Sequence, residues 1–148
     1  MKKEFEKGIF RVLVIGIVFD TTTRKVLIGK KENDPNVPKL SWCFPGGGPK
    51  HNEELEDAIK REVKEETGYY VESLGPIFAR VLPEEKNMLF IYYLCELVGG
   101  KEKLSDEFKE LKWVSPSEIK KYATTSIHPN LNEYLMNLEW GKADGGQK

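Results

Sequence analysis

Between Pro45 and Tyr69 the chain carries a pattern that few folds accommodate: a Pro45-Gly46-Gly47-Gly48-Pro49 run, then an acidic stretch with helical spacing closed by Gly68. Asn52 is placed to cap a helix, and Glu53, Glu54, Glu56 and Asp57 put negative charge where the helix dipole favours it. Leu55, Ile59 and Val63 recur every fourth residue with Ala58 beside them, giving one apolar stripe to bury. Gly68 sits where a helix ends in a left-handed residue. The spacing therefore predicts a helix over residues 53–67, docked by that stripe.

Its other face is chemically demanding. Glu62, Glu65 and Glu66 stand at i, i+3 and i+4, which brings them together on one side of the helix. Each like-charged pair costs the helix about 0.2–0.5 kcal/mol, a cost that a hard divalent cation removes. Magnesium suits an oxygen-only site that keeps water and bridges carboxylates to phosphate, and manganese can substitute. The preceding glycines let the backbone approach a ligand closely, and the Gly46 carbonyl can add an uncharged oxygen. The plain alternative is a solvated acidic face paired with Lys60, Arg61 and Lys64.

The 148 residues are one domain's worth, and 7 Phe, 6 Tyr and 3 Trp can fill a core. A formal net charge of −1 gives no general pull toward nucleic acid, so phosphate recognition has to be local. Cys43 and Cys95 lack metal-ligand spacing and read as small buried hydrophobes in a reducing compartment. Gly8–Phe19 loosely imitates a signal sequence. Arg11 interrupts it, and Asp20-Thr21-Thr22-Thr23 offers no cleavage site, so it reads as a buried strand of a cytoplasmic protein with no membrane span.

Strands are expected at Phe10–Phe19 and Val26–Lys30, joined as a hairpin through Asp20–Lys25, and at Ser41–Phe44, Tyr69–Leu74, Ile77–Leu82, Met88–Leu97 and Leu111–Val114. Asn33–Pro38 reads as a loop. Ser115-Pro116-Ser117-Glu118 combines cap, proline and capping-box glutamate ahead of a short helix through Tyr122, and Pro129–Trp140 forms a last helix. Strands interleaved with few helices argue a mixed α/β sandwich. Residues 1–140 then form one domain, with a disordered tail at 141–148.

Taken whole, Gly47, Glu53, Arg61, Glu62, Val63, Glu65, Glu66, Gly68 and Tyr69 resemble the signature of the Nudix hydrolases: Gly, five residues, Glu, seven residues, Arg-Glu-U-x-Glu-Glu-x-Gly-U, with U bulky and apolar. Tyr69 is the one departure, since an aliphatic residue is usual there. The flanks fit too, from Gly8 to Trp140, including Phe44-Pro45-Gly46-Gly47 and Trp113-Val114. The resemblance implies an α/β/α sandwich around a mixed sheet and hydrolysis of nucleoside diphosphates linked to another moiety, X. It implies Glu62, Glu65 and Glu66 as metal ligands, and Glu53 with Arg61 as the pair that ties loop to helix and orients the carboxylates. A later glutamate as general base is also implied, with Glu107 the candidate and Glu110 second.

Subgroup marks are mostly missing. No Ser-Gln-Pro-Trp stretch like that of NADH-cleaving members occurs, Tyr92 and Tyr93 come too late for dinucleoside polyphosphate hydrolases, and Pro83 falls a residue early for the ADP-ribose group. The short chain resembles the compact nucleoside triphosphate pyrophosphohydrolases, which points to an NTP or dNTP giving monophosphate and pyrophosphate. ADP-ribose or a nucleotide sugar is the second substrate class. A non-catalytic nucleotide-binding module is the third reading, set against a complete set of signature carboxylates. The expected partner is a small nucleotide rather than nucleic acid, and a homodimer is compatible. Lys30 and Lys31 end the second strand near the expected cleft. His51 reads as a loop residue, His128 as a helix-entry residue, and Trp42 and Phe44 as core.

Overall fold

The computed structural model describes residues 8–31, 42–81, 87–122 and 127–140. The Asn33–Pro38 loop, Pro83 and the 141–148 tail lie outside them. Seven strands share one sheet: β1 (Arg11–Asp20), β2 (Lys25–Lys30), β3 (Trp42–Cys43), β4 (Gly46–Gly47), β5 (Tyr69–Val81), β6 (Met88–Gly100) and β7 (Glu110–Val114). The helices are α1 (Leu55–Thr67), α2 (Ile119–Tyr122), which continues a 3₁₀ turn at Pro116–Glu118, and α3 (Pro129–Trp140).

β1 is central, and its sequence shows why. It pairs in parallel with β6 along Arg11–Phe19, and a parallel strand covered on both faces carries a nearly unbroken apolar run. Val14 and Val18 enter the core layer with Ala58, Ile59 and Val63 of α1. Ile17 and Phe19 enter the opposite layer with Ile119, Leu131 and Leu135 of α2 and α3. Helices thus cover both faces of a mixed sheet, the expected α/β/α sandwich. The signal-like stretch is its innermost strand, and among the described residues no helix is long and apolar enough to cross a membrane.

β1 and β2 are joined as expected, yet pair only at Phe19 with Val26 and Asp20 with Lys25 before diverging. The short strands fill the gap: Trp42 and Cys43 pair with Lys30 and Gly29, and Gly46 and Gly47 with Ile15 and Val14. The Gly16 amide donates to the Pro45 carbonyl between them (2.8 Å). The glycine run is therefore not a free loop, because its first two functional glycines are pinned as strand in the middle of the sheet.

Two further expectations are corrected. Tyr69–Leu74 and Ile77–Leu82 are not separate strands. β5 runs unbroken to Val81 and absorbs Gly75-Pro76 as irregularities in its pairing with β6. Asn52 does not cap α1: it takes a positive φ of 66° in the preceding turn, and Glu54 occupies the cap position. The other boundaries moved by at most three residues, the largest shift being β6, which runs to Gly100 rather than Leu97. Cys95 is fully buried, which pushes its thiol up to about 12 and keeps it inert. Glu118 accepts a hydrogen bond from the Ser115 amide (3.0 Å), the expected half of a capping box.

Candidate active site

The site is built from the turn before α1, the helix itself, β4 and the segment before β7. In the turn, the Glu53 amide donates to the Lys50 carbonyl (3.0 Å), while the Lys50 amide donates to Glu53 Oε1 (2.8 Å). This closed loop holds the Glu53 carboxylate toward the helix. Arg61, two turns further on, grips it with Nε to Oε2 (2.8 Å) and Nη2 to Oε1 (2.9 Å). A planar guanidinium matches a carboxylate in this two-pronged way, as lysine cannot. The Arg61 bonds, followed by that of the Lys50 amide, hold the Glu53 carboxyl down at about 2.

Arg61 has five N–H donors and uses them all. Besides the two on Glu53, Nη1 donates to Glu62 Oε2 (3.0 Å) and Glu65 Oε1 (3.1 Å), and Nη2 to the Gly48 carbonyl (3.2 Å). One side chain thus ties the glycine run, the pre-helix turn and two of the three aligned glutamates. The Glu53 bond, ahead of those to Glu62, raises the Arg61 pKa further.

Glu66, the third, is different. It is 5% exposed, and its Oε1 accepts the Gly46 amide at 3.1 Å. Burial first, then the Glu62 carboxylate against it and the charge of Glu107, push its pKa well above the ordinary carboxylate range, with the Gly46 amide pulling the other way. Gly47 leaves room beside this pair: a Cβ there would lie 2.6 Å from the Glu62 carboxylate carbon and push that side chain aside. Two carboxylates packed at a buried backbone edge are the donor chemistry of a hard cation. Among the described residues no three His, Cys, Asp or Glu side chains are gathered into a metal cage, and Arg61 instead occupies carboxylate oxygens of Glu62 and Glu65.

Glu107 lies in the segment before β7, about half exposed, with Lys31 Nζ 3.9 Å from its carboxylate. Its charge reaches Glu66, so the fold brings it to the same locality. Glu110 instead sits in β7, paired with Lys30 of β2. Ser105, not singled out in the sequence, anchors this segment: its hydroxyl donates to the Glu66 carbonyl (3.2 Å) and accepts the Glu107 amide (3.1 Å). A lone serine two residues from an acid is a weak local signal, and only packing against the helix end reveals its use.

The remaining candidates divide. His51 is exposed in the turn. His128 opens α3, its Nδ1 accepting the Asn130 amide (3.1 Å). Lys30 lies over the Trp42 ring (6.0 Å to its centre), and Trp42 and Phe44 pack partly buried in the layer under α3. Tyr69 keeps its ring against the α1-side core, and its hydroxyl accepts the Trp113 indole N–H (3.3 Å), so the unusual tyrosine gains a partner an aliphatic residue would lack.

A mixed sheet between helices, with a carboxylate-bearing helix backed by strand glycines, defines an α/β/α sandwich with an acidic site at the helix face. Residues 9–135 match the NUDIX domain family model, and the chain belongs to the Nudix family. The nucleoside triphosphatase NudI of Escherichia fergusonii is 27% identical over 108 residues, 65% of this chain and 77% of that protein. A NUDIX hydrolase structure from Nitrosomonas europaea superposes with a TM-score of 0.73 at 24% identity, covering 90% of this chain and 74% of that one. An ADP-ribose pyrophosphatase structure from Streptococcus suis 89-1591 gives 0.64 at 21%, covering 89% and 91%.

Proposed function

We propose that this chain hydrolyses a diphosphate linkage in a nucleotide with the help of a divalent cation, magnesium or manganese, and that its preferred substrate is an NTP or dNTP, released as monophosphate and pyrophosphate. The observation that carries this reading is the buried Glu66 carboxylate on the Gly46 amide with Glu62 packed against it, an arrangement that is costly without a cation. Glu62, Glu65 and Glu66 would hold the ion, with the Gly46 carbonyl as a further oxygen. When bound, it supplies neutralisation of phosphate charge and acidification of a water.

The chain's own residues do the rest. Arg61, locked by Glu53, sets the carboxylate positions and the path of the glycine run. Glu107, on the solvent side of the pair, accepts the proton of the attacking water as its oxygen bonds to phosphorus and pyrophosphate departs. The similarity to a protein named nucleoside triphosphatase supports the triphosphate substrate.

Testing it requires a panel of NTPs, dNTPs, ADP-ribose and nucleotide sugars, assayed with magnesium, manganese or excess chelator. Triphosphates should be turned over fastest, and only with metal. Full turnover in chelator, or by Glu66→Gln, would overturn the metal reading, and ADP-ribose as the best substrate would overturn the substrate.

A further inference from the structure

The segment that carries Glu107 is fastened on both sides of it. Ahead of it, the Ser105 hydroxyl donates to the Glu66 carbonyl at the end of α1 (3.2 Å) and accepts the Glu107 amide (3.1 Å). Behind it, the Lys109 amide donates to the Lys30 carbonyl at the end of β2 (2.8 Å), and the chain enters β7. Between these anchors Glu107 keeps its carboxylate about half exposed, while Phe108 turns into the core.

Phe108 is 2% exposed and the bulkiest of the fully buried side chains among the described residues. It joins the core layer under α1, with Val14, Ile59 and Leu111. Its place is made by Gly29 of β2, where a Cβ would lie within 2.6 Å of three atoms of the Phe108 ring. Gly29 is paired on both sides, with Cys43 of β3 and Leu111 of β7, a position where glycine weakens a strand. It takes no positive φ, so what it supplies is space. Two residues further on, Lys31 reaches toward the Glu107 carboxylate (3.9 Å). The end of β2 thus meets residues 107–109 at three successive points: Gly29 under the ring, Lys30 at the amide of Lys109 and Lys31 at the carboxylate.

Neighbouring Cα atoms are held about 3.8 Å apart, so a ring that cannot shift in a close-packed layer fixes the backbone from which Glu107 projects. We propose that Phe108, seated on Gly29, is a positioning residue for the reaction: it sets where the Glu107 carboxylate meets the attacking water and touches no substrate itself. The inference rests on the reading of Glu107 as proton acceptor and names the residues that aim it. A general base works only within hydrogen-bond reach of its proton, and misplacement by about 1 Å can cost about 10²-fold.

The experiment measures kcat and KM for the nucleotide of the panel turned over fastest with magnesium, in wild type, Phe108→Leu, Gly29→Ala, Glu107→Gln and the Phe108→Leu, Glu107→Gln pair, with Tm for each. Leu135→Ala, a truncation in the opposite core layer, controls for lost packing alone. Phe108→Leu and Gly29→Ala should each lower kcat by about 10–100-fold with KM little changed, and hydrogen exchange at the Glu107 amide should quicken. With Gln at position 107, Phe108→Leu should cost less than about 2-fold more, because both changes act through one carboxylate. Leu135→Ala should lower Tm and keep kcat. Gly29→Ala carries the test if Phe108→Leu does not fold. A lowered Tm with unchanged kcat would make Phe108 a core residue only, and an equal kcat loss in both backgrounds would show that it does not act through Glu107. Either result, beside a crippled Glu107→Gln, overturns this inference and leaves the proton-acceptor reading standing. Near-normal turnover by Glu107→Gln overturns that reading and this inference with it.

Discussion

Arg61 spends every donor it has inside the protein, which places it among positioning residues rather than substrate contacts. Arg61→Ala should lower kcat/KM by about 10–100-fold, as loss of a group orienting ligands does. Hydrogen exchange at the amides of residues 46–52 should quicken, and unchanged protection with lost activity would make Arg61 a substrate contact instead. Its partner adds a pH signature. Folding lowers the Glu53 pKa from 4.5 to about 2, so its stabilisation is complete above 4.5 and fades as pH falls toward 2. Wild type should therefore melt higher than Glu53→Gln at pH 7, and the gap should close on acidification. A gap independent of pH would sink the ion-pair account. Glu66 has the opposite sign. Its raised pKa means the folded chain without metal holds a proton that the unfolded chain releases from 4.5 upward, so it loses stability as pH climbs above 4.5. In chelator, Glu66→Gln should raise Tm at pH 8 more than at pH 5, and an equal effect at both would refute the buried-charge explanation.

At the level of elements, two glycines bracket α1 for different reasons. Gly68 ends the helix at φ 84°, its amide bonded to the Lys64 carbonyl (3.0 Å), and a Cβ there would strike the Lys101 carbonyl. Gly68→Ala should cost stability, about 1–3 kcal/mol by urea unfolding, from a strained backbone forced against its neighbour. Gly47 needs no unusual φ; its missing side chain makes room for the Glu62 carboxylate. Gly47→Ala should thus cut turnover by at least 10-fold while shifting the unfolding midpoint less than Gly68→Ala, and the reverse ranking would show that Gly47 serves folding alone. Most of this was legible in the sequence, because α1 is a local structure: its stripe, its glycine stop and its i, i+3, i+4 glutamates all follow from 3.6 residues per turn. The cap was misread because Asn52 is needed to turn the chain with a positive φ, a demand that comes from seating Glu53 on Arg61.

Over the whole molecule, the site depends on segments far apart in sequence. Glu107 reaches Glu66 only because Ser105 fastens its segment to the end of α1 and β7 pairs with β2. Its ion pair with Lys31, at 3.9 Å and well exposed, adds little stability, which leaves the carboxylate free to act on a proton. Glu107→Gln should lower kcat by about 10²–10⁴ with little change in KM. Near-normal turnover there alongside a crippled Glu110→Gln would transfer the role to Glu110, and if neither matters the base is a helix glutamate.

What the chain settles by itself is whatever lies within a turn or two of helix or one apolar run: the carboxylate helix, the buried β1 and the last helix, α3, which follow from backbone periodicity. The Glu53 and Arg61 pair came from the family resemblance rather than from spacing. The tertiary structure alone decided that Gly46 and Gly47 form a strand wedged between diverging β1 and β2, that β5 passes unbroken through Gly75-Pro76, that Ser105 anchors the segment before β7, and that Phe78, Tyr92, Ile15 and Gly46 line up across the sheet. Strand register and sheet order join residues tens of positions apart. That pairing energy is summed over both sheet faces and both helical layers, so no short window of sequence contains it.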